Sequence, residues 1–231
     1  MRFFKAITLK SIAILLIIFT VFAFSGGVII HKVTYSAKKI TVVIDAGHGG
    51  IDGGASGVNT NVRESDINLL IAKKLENLFS SSGFNTVMTR TGDYGLYGTT
   101  DPGFKMRDLV KRVEIINGSG AEIAISIHLN VYTASYRRGA QAFYKKGDEK
   151  AQRFAKNIQN RINGMRLSPR ILSALSGDYY LLNQSKIPMV IVECGFLSNQ
   201  EDEKLLLSEE YRTDMADAIF NGSLVTLLSH V

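Results

Sequence analysis

Thr41-Val42-Val43-Ile44-Asp45-Ala46-Gly47-His48-Gly49-Gly50 is a short apolar run that ends in a carboxylate, a glycine turn and a histidine. Four to six Val, Ile and Ala residues with no sustained polar alternation read as a strand buried on both faces, as in a mostly parallel sheet. Two further runs repeat the pattern: residues 123–127 lead into His128, and residues 189–192 lead into Glu193. In open α/β sheets, chemistry collects just beyond the carboxyl ends of the strands. Three reactive side chains at three strand ends therefore point to one site.

Around these runs the hydrophobic period switches between strand-like and helix-like. Ile67, Leu70, Ile71, Leu75, Leu78 and Phe79 follow helical spacing, with Gly83 placed to end the helix. Helical stripes also run through Met106, Leu109, Val110, Val113 and Ile116, then through Ala151, Phe154, Ala155, Ile158 and Ile162, and finally through Met215, Ile219, Leu224 and Leu228. Residues 84–89, 121–128, 139–144, 179–182 and 189–193 read as the remaining strands, and residues 91–104 and 129–138 as loops. This alternation predicts a single α/β domain with a twisted, mostly parallel sheet of about six strands, covered by helices on both faces.

The N-terminus reads differently. Arg2, Lys5 and Lys10 precede residues 11–30, which carry no charge and are almost wholly apolar. Such a segment is a signal peptide or a membrane anchor, which divides the chain into residues 1–39 and a catalytic domain at 40–231 and places that domain outside the cytoplasm. The net charge of +6 belongs to the same stretch: six of the 27 basic residues lie in residues 1–39, and the rest balance the 21 acidic ones. A formally neutral domain lacks the electrostatic footprint of a nucleic-acid binder. A single cysteine, Cys194, excludes an internal disulfide.

Of the four histidines, His31 and His230 lie near the ends, leaving His48 and His128 at strand mouths. A catalytic zinc site takes three protein ligands and keeps one position open, and two His with one carboxylate is a common set. Glu64, at the start of the first helix, is a candidate third ligand, although a carboxylate there is also a favourable dipole partner. Asp45 and Asp52 compete for the role. Residues 46–57 are Gly-rich but lack the lysine and hydroxyl of a phosphate-cradling loop. Glu193 is suited to take a proton from water and hand it to a leaving amine. Cys194 is the rival nucleophile, but adjacent strand residues point to opposite faces, which separates it from Glu193. These residues alone also suit a zinc carboxypeptidase or deacetylase, or a non-enzymatic domain that only binds a ligand or a partner protein.

Four segments resemble, in order, the signatures of zinc-dependent N-acetylmuramoyl-L-alanine amidases of the amidase 3 class: Val43-Ile44-Asp45-Ala46-Gly47-His48-Gly49-Gly50, Arg63-Glu64-Ser65-Asp66-Ile67-Asn68-Leu69, Ser126-Ile127-His128-Leu129-Asn130 and Val192-Glu193-Cys194-Gly195-Phe196-Leu197-Ser198-Asn199. Arg112 and Asn117 match a further helix pattern of that class. Gly53 and Leu129 depart from it, where proline and alanine are usual. The resemblance implies that His48, Glu64 and His128 bind zinc, that Glu193 is the catalytic carboxylate, and that the substrate is the amide between N-acetylmuramic acid and L-alanine in peptidoglycan. The small layout, without a wall-binding module, further resembles germination-specific spore amidases of the CwlD type, whose product feeds formation of muramic δ-lactam in the cortex. A vegetative wall amidase has the same layout. An activating protein partner is expected from the mobile-loop candidates near the site.

Overall fold

The β-branched run that opens the domain has a parallel strand at each edge, and its alternating side chains are buried on both faces. The computed structural model describes residues 39–228; the predicted signal or anchor segment lies outside the described residues, as do residues 229–231. The strands are β1 (Thr41–Ala46), β2 (Asn85–Met88), β3 (Ile123–Asn130), β4 (Gln141–Tyr144), β5 (Leu175–Ser176) and β6 (Met189–Phe196). The helices are α1 (Glu64–Ser81), α2 (Phe104–Gly118), α3 (Glu149–Asn163), α4 (Tyr180–Gln184), α5 (Gln200–Leu207) and α6 (Glu209–Leu228). One six-stranded sheet has the order β2-β1-β3-β6-β4-β5. Neighbours run parallel except β4, which is antiparallel to β6.

Side-chain alternation sorts the strands into two faces. Val42, Ile44, Ile123, Ile125, Ile127, Val190, Val192 and Cys194 enter one large apolar cluster with residues of α1, α3 and α6. Val43, Ala124, Met189 and Ile191 point the other way, into a smaller cluster with Ile116 of α2 and Leu181 and Leu182 of α4. On this second face the same alternation carries Asp45, Ser126, His128 and Glu193 toward the carboxyl ends of β1, β3 and β6. Cys194 is thereby separated from Glu193, as the strand period predicts.

One sequence expectation is corrected. Residues 179–182 are not a strand: Tyr179 is extended, and Tyr180–Gln184 forms α4, burying Leu181 and Leu182. A short apolar run carries too little period to separate strand from helix. The sixth strand is instead the two-residue Leu175–Ser176 beside β4. The C-terminal helical pattern is preceded by a separate helix: the Asn199 side chain accepts from the N–H groups of Glu201 and Asp202 to start α5, and Ser208 turns extended before α6 begins. Among the described residues no helix is long and apolar enough to cross a membrane.

Candidate active site

His48 follows β1 in a turn whose backbone is held from below by two buried arginines. His48 itself has φ 60°, a left-handed conformation that costs energy for a non-glycine residue. The Arg90 guanidinium donates to the carbonyls of Ala46 (2.8 Å), Gly47 (2.9 Å) and Ser65 (2.8 Å). Arg112 donates to the carbonyls of Ala46 (2.8 Å) and His48 (2.6 Å). Asp45, fully buried, accepts from Arg112 (2.5 Å), Ser126 (2.5 Å) and Thr89 (2.6 Å), while Asp108 takes the Arg112 Nε at 2.5 Å. Burial alone would raise the Asp45 carboxyl, but Arg112 and the two hydroxyls outweigh it and hold it down at about 2. Asp45 is thus committed to the support of the turn.

Above this turn the three remaining groups converge. Donor atoms of His48, Glu64 and His128 all lie within 4.8 Å of one another. Glu64 Oε1 is 3.0 Å from His128 Nδ1 and 3.3 Å from His48 Nε2. The backbone fixes Glu64 as well: Leu129 N–H donates to Oε1 (3.1 Å) and Ala55 N–H to Oε2 (2.8 Å). Asp52 Oδ2 lies 2.8 Å from His48 Nδ1, which leaves Nε2 to face the cluster. A carboxylate that orients a ligating imidazole in this way is a usual second layer around metals. Burial opposes charge on His48, but Glu64 and Asp52 prevail and raise it to about 9; burial likewise opposes charge on Glu64, and the two histidines hold it far below the usual carboxylate range. Two imidazoles and one carboxylate, mutually close and held in place by Asp52 and by backbone N–H groups, suit a zinc ion with one position left open.

Two glycines create this space. A Cβ on Gly47 would overlap the His128 ring, and one on Gly54, where φ is +69°, would come within 2.5 Å of Glu64 Oε2 and 2.8 Å of the His48 ring.

Glu193 sits directly opposite His128 in the β3–β6 register. It is 7% exposed, and among the described residues its Oε2 has no hydrogen-bond partner. Burial raises its pKa to about 7, against the pull of His128 and with the help of the Glu64 charge. A carboxyl balanced near neutrality is suited to general acid–base work. Tyr179, capping α4 with its ring edge-on to Phe143 at 5.5 Å, is coupled to it, and burial and the Glu193 charge keep the phenol protonated up to about 12. Cys194 is fully buried, and burial pushes its thiol well above its ordinary value, so it does not supply a thiolate.

Residues 42–223 match the amidase 3 family, described as N-acetylmuramoyl-L-alanine amidase. The chain belongs to this family. The amidase is similar to the germination-specific N-acetylmuramoyl-L-alanine amidase of Bacillus subtilis, with 35% identity over 187 residues covering 79% of this chain and 78% of the relative. Among solved structures it resembles the CwlD amidase from Clostridioides difficile, determined in complex with the GerS lipoprotein (TM-score 0.77, 38% identity, 83% of this chain and all of that one). It also resembles an N-acetylmuramoyl-L-alanine amidase from Clostridium difficile 630 (TM-score 0.75, 31% identity, 84% and 99% covered). The protein is therefore a hydrolase of the muramoyl-L-alanine amide of peptidoglycan, and its described domain holds a His-Glu-His group able to take a metal.

Of the sequence candidates, the structure brings together His48, Glu64, His128 and Glu193, and it sets Asp52 behind His48 and Asp45 beneath the turn. The structure adds Arg90, Tyr179 and Lys105, the last lying 3.2 Å from Asp52 Oδ1. Arg90 and Tyr179 reach the site through contacts distant in sequence, and neither carries a local signal. Lys105 had one, a cation in the first turn of a helix, where anions are preferred.

Proposed function

We propose that this amidase is a zinc enzyme of the spore cortex, with His48, Glu64 and His128 as ligands and Glu193 as the proton carrier, acting in the sequence that leads to muramic δ-lactam. The carrying observation is the convergence of three ligand-type atoms within 4.8 Å beside a buried carboxyl whose Oε2 is unpartnered among the described residues. Bound zinc supplies a Lewis acid that polarises the scissile carbonyl and acidifies water. Glu193 takes one proton from the attacking water and delivers it to the L-alanine nitrogen as the carbon–nitrogen bond breaks, returning to its starting charge. Its pKa near 7 suits both halves of that exchange. Asp45, Arg112 and Arg90 keep the His48 turn in place, and Gly47 and Gly54 leave room for the rings.

The cortex role rests on similarity to the germination-specific relative. The residues 1–39 segment, as signal or anchor, would deliver the 40–231 domain outside the cytoplasm, where peptidoglycan lies. A lipoprotein partner that completes or orders the site is the corresponding proposal from the solved complex of the similar amidase. Glu193→Gln tests the chemistry: metal content should stay at one zinc per chain while turnover falls about 10²- to 10⁴-fold. Free L-alanine amino termini released from cortex fragments report the turnover, and undiminished release by the variant would remove Glu193 from the mechanism.

A further inference from the structure

We propose that Lys105 is a substrate-recognition residue, whose ammonium pairs with the free α-carboxylate on the second residue of the stem peptide, one residue beyond the scissile amide. The inference rests on hydrolysis taking place at the mouth formed by His48, His128 and Glu193. A cavity of about 140 Å³ adjoins His48 and His128, walled by α2 and α4 through Lys105, Leu109, Arg112 and Leu181. Most of its charges are already committed. Arg112 is locked between Asp45 and Asp108, and Asp108 also accepts the Leu96 N–H at 2.5 Å. Asp52 holds His48. Lys105 differs: its side chain is 67% exposed, and among the described residues its one polar partner is Asp52 Oδ1 at 3.2 Å. An ammonium carries three donors, which leaves two for a ligand.

The placement of Lys105 also runs against local preference. The first turn of α2 has no acidic residue, and a cation there opposes the helix dipole. Arg107, the other cation in that turn, is occupied by the carbonyls of Tyr97, Thr99, Asp101 and Pro102. Lys105 has no such set of acceptors. Breaches of local preference without an internal compensation concentrate at functional sites. The chemistry of the substrate supplies the missing partner. A stem peptide that continues through the side chain of a D-glutamyl residue leaves the α-carboxyl of that residue free. Leu109 and Leu181 offer an apolar wall to the L-alanine methyl that precedes it.

The test uses the zinc-loaded full chain and two muramoyl tripeptides, identical except that the D-glutamyl α-carboxyl is a free acid in one and a carboxamide in the other. The wild-type chain should favour the acid about fivefold through KM, with kcat unchanged, and the preference should shrink at high salt. Lys105→Gln should raise KM for the acid alone and erase the preference, Lys105→Arg should restore most of it, and Lys105→Glu should reverse it. A lysine that merely orients Asp52 would, when replaced, slow both substrates by the same factor, and that result overturns the proposal. Absence of an acid preference in the wild-type chain, or its survival in Lys105→Gln, overturns it too. Binding of both tripeptides to the Glu193→Gln chain, followed by calorimetry, repeats the comparison without turnover. An acid preference in binding, lost with Lys105, supports the recognition role even where cleavage at this mouth fails.

Discussion

The two faces of the sheet are built on different principles. The face toward α1, α3 and α6 is filled almost entirely by aliphatic and aromatic side chains such as Ile71, Leu75, Phe154, Ile158 and Ile219. The face toward α2 and α4 is apolar only near the amino ends of the strands, and toward their carboxyl ends it gives way to Asp45, Ser126, Arg112, His128 and Glu193. Burying charges on this scale opposes folding unless each is paired. Asp45 and Arg112 are paired, whereas Glu193 keeps one oxygen without a protein partner among the described residues. Stability comes mainly from one face, and the other uses it to hold groups in states that water would not favour.

This contrast can be broken most directly by one truncation on each face. Phe154→Ala and Asp45→Ala should each destabilise by about 3–5 kcal/mol, the first through a cavity and the second by taking from the buried Arg112 guanidinium one of its two carboxylate partners and leaving the Ser126 and Thr89 hydroxyls without their acceptor. Urea unfolding measures both. Cobalt or zinc titration of the folded protein then separates them: affinity should hold in Phe154→Ala and fall about tenfold or more in Asp45→Ala, because the His48 turn loses its support. Equal metal affinities in the two variants would erase the distinction between the faces.

A smaller effect follows from pH. Asp45 is lowered from 3.8 to about 2 in the folded protein, so over that interval the unfolded chain binds more protons than the folded one. Its contribution, on the order of 2 kcal/mol, is present above about pH 4 and is lost as pH falls toward 2. Urea midpoints measured from pH 5 down to 2 should decline less steeply in Asp45→Asn than in the wild type. The smallest change sharpens the comparison within the polar face. Gly54→Ala places a methyl at φ +69° against Glu64 and His48, costing about 1–2 kcal/mol of stability. Its metal affinity should drop by more than that of an alanine substitution at Gly83, where φ is +87° but no neighbour lies within 4 Å.

The difference between the faces also decides what could be read in the sequence. β1, β3 and β6 were legible because strands buried on both sides leave continuous aliphatic runs, and the reactive residues stood at their ends. Helix α3 was legible from the spacing of Phe154, Ala155, Ile158 and Ile162 and from Gly164 after them. Leu175–Ser176 was not, since two exposed residues at a sheet edge carry no period. Residues 179–182 misled because Tyr-Tyr-Leu-Leu is apolar in either conformation. The ligand candidates could be assembled from motif and resemblance, but the residues left open, Asp45 and Asp52, could be placed only by tertiary contacts. Asp45 meets Arg112 across 67 positions of sequence, and Arg90 meets Ala46 across 44. No local rule carries that information.

The position of β6 has a consequence for how the site is assembled. It is among the last elements in the chain, yet it lies inside the sheet, between β3 and β4, and brings Glu193 with it. Residues 189–196 must therefore be in place before the sheet is continuous from β3 to β4 and before the carboxyl proposed to move the proton stands opposite His128. The candidate ligands and the candidate proton carrier thus come from segments far apart in the chain and meet only through completed strand pairing, which makes the site a product of the finished sheet rather than of any one motif.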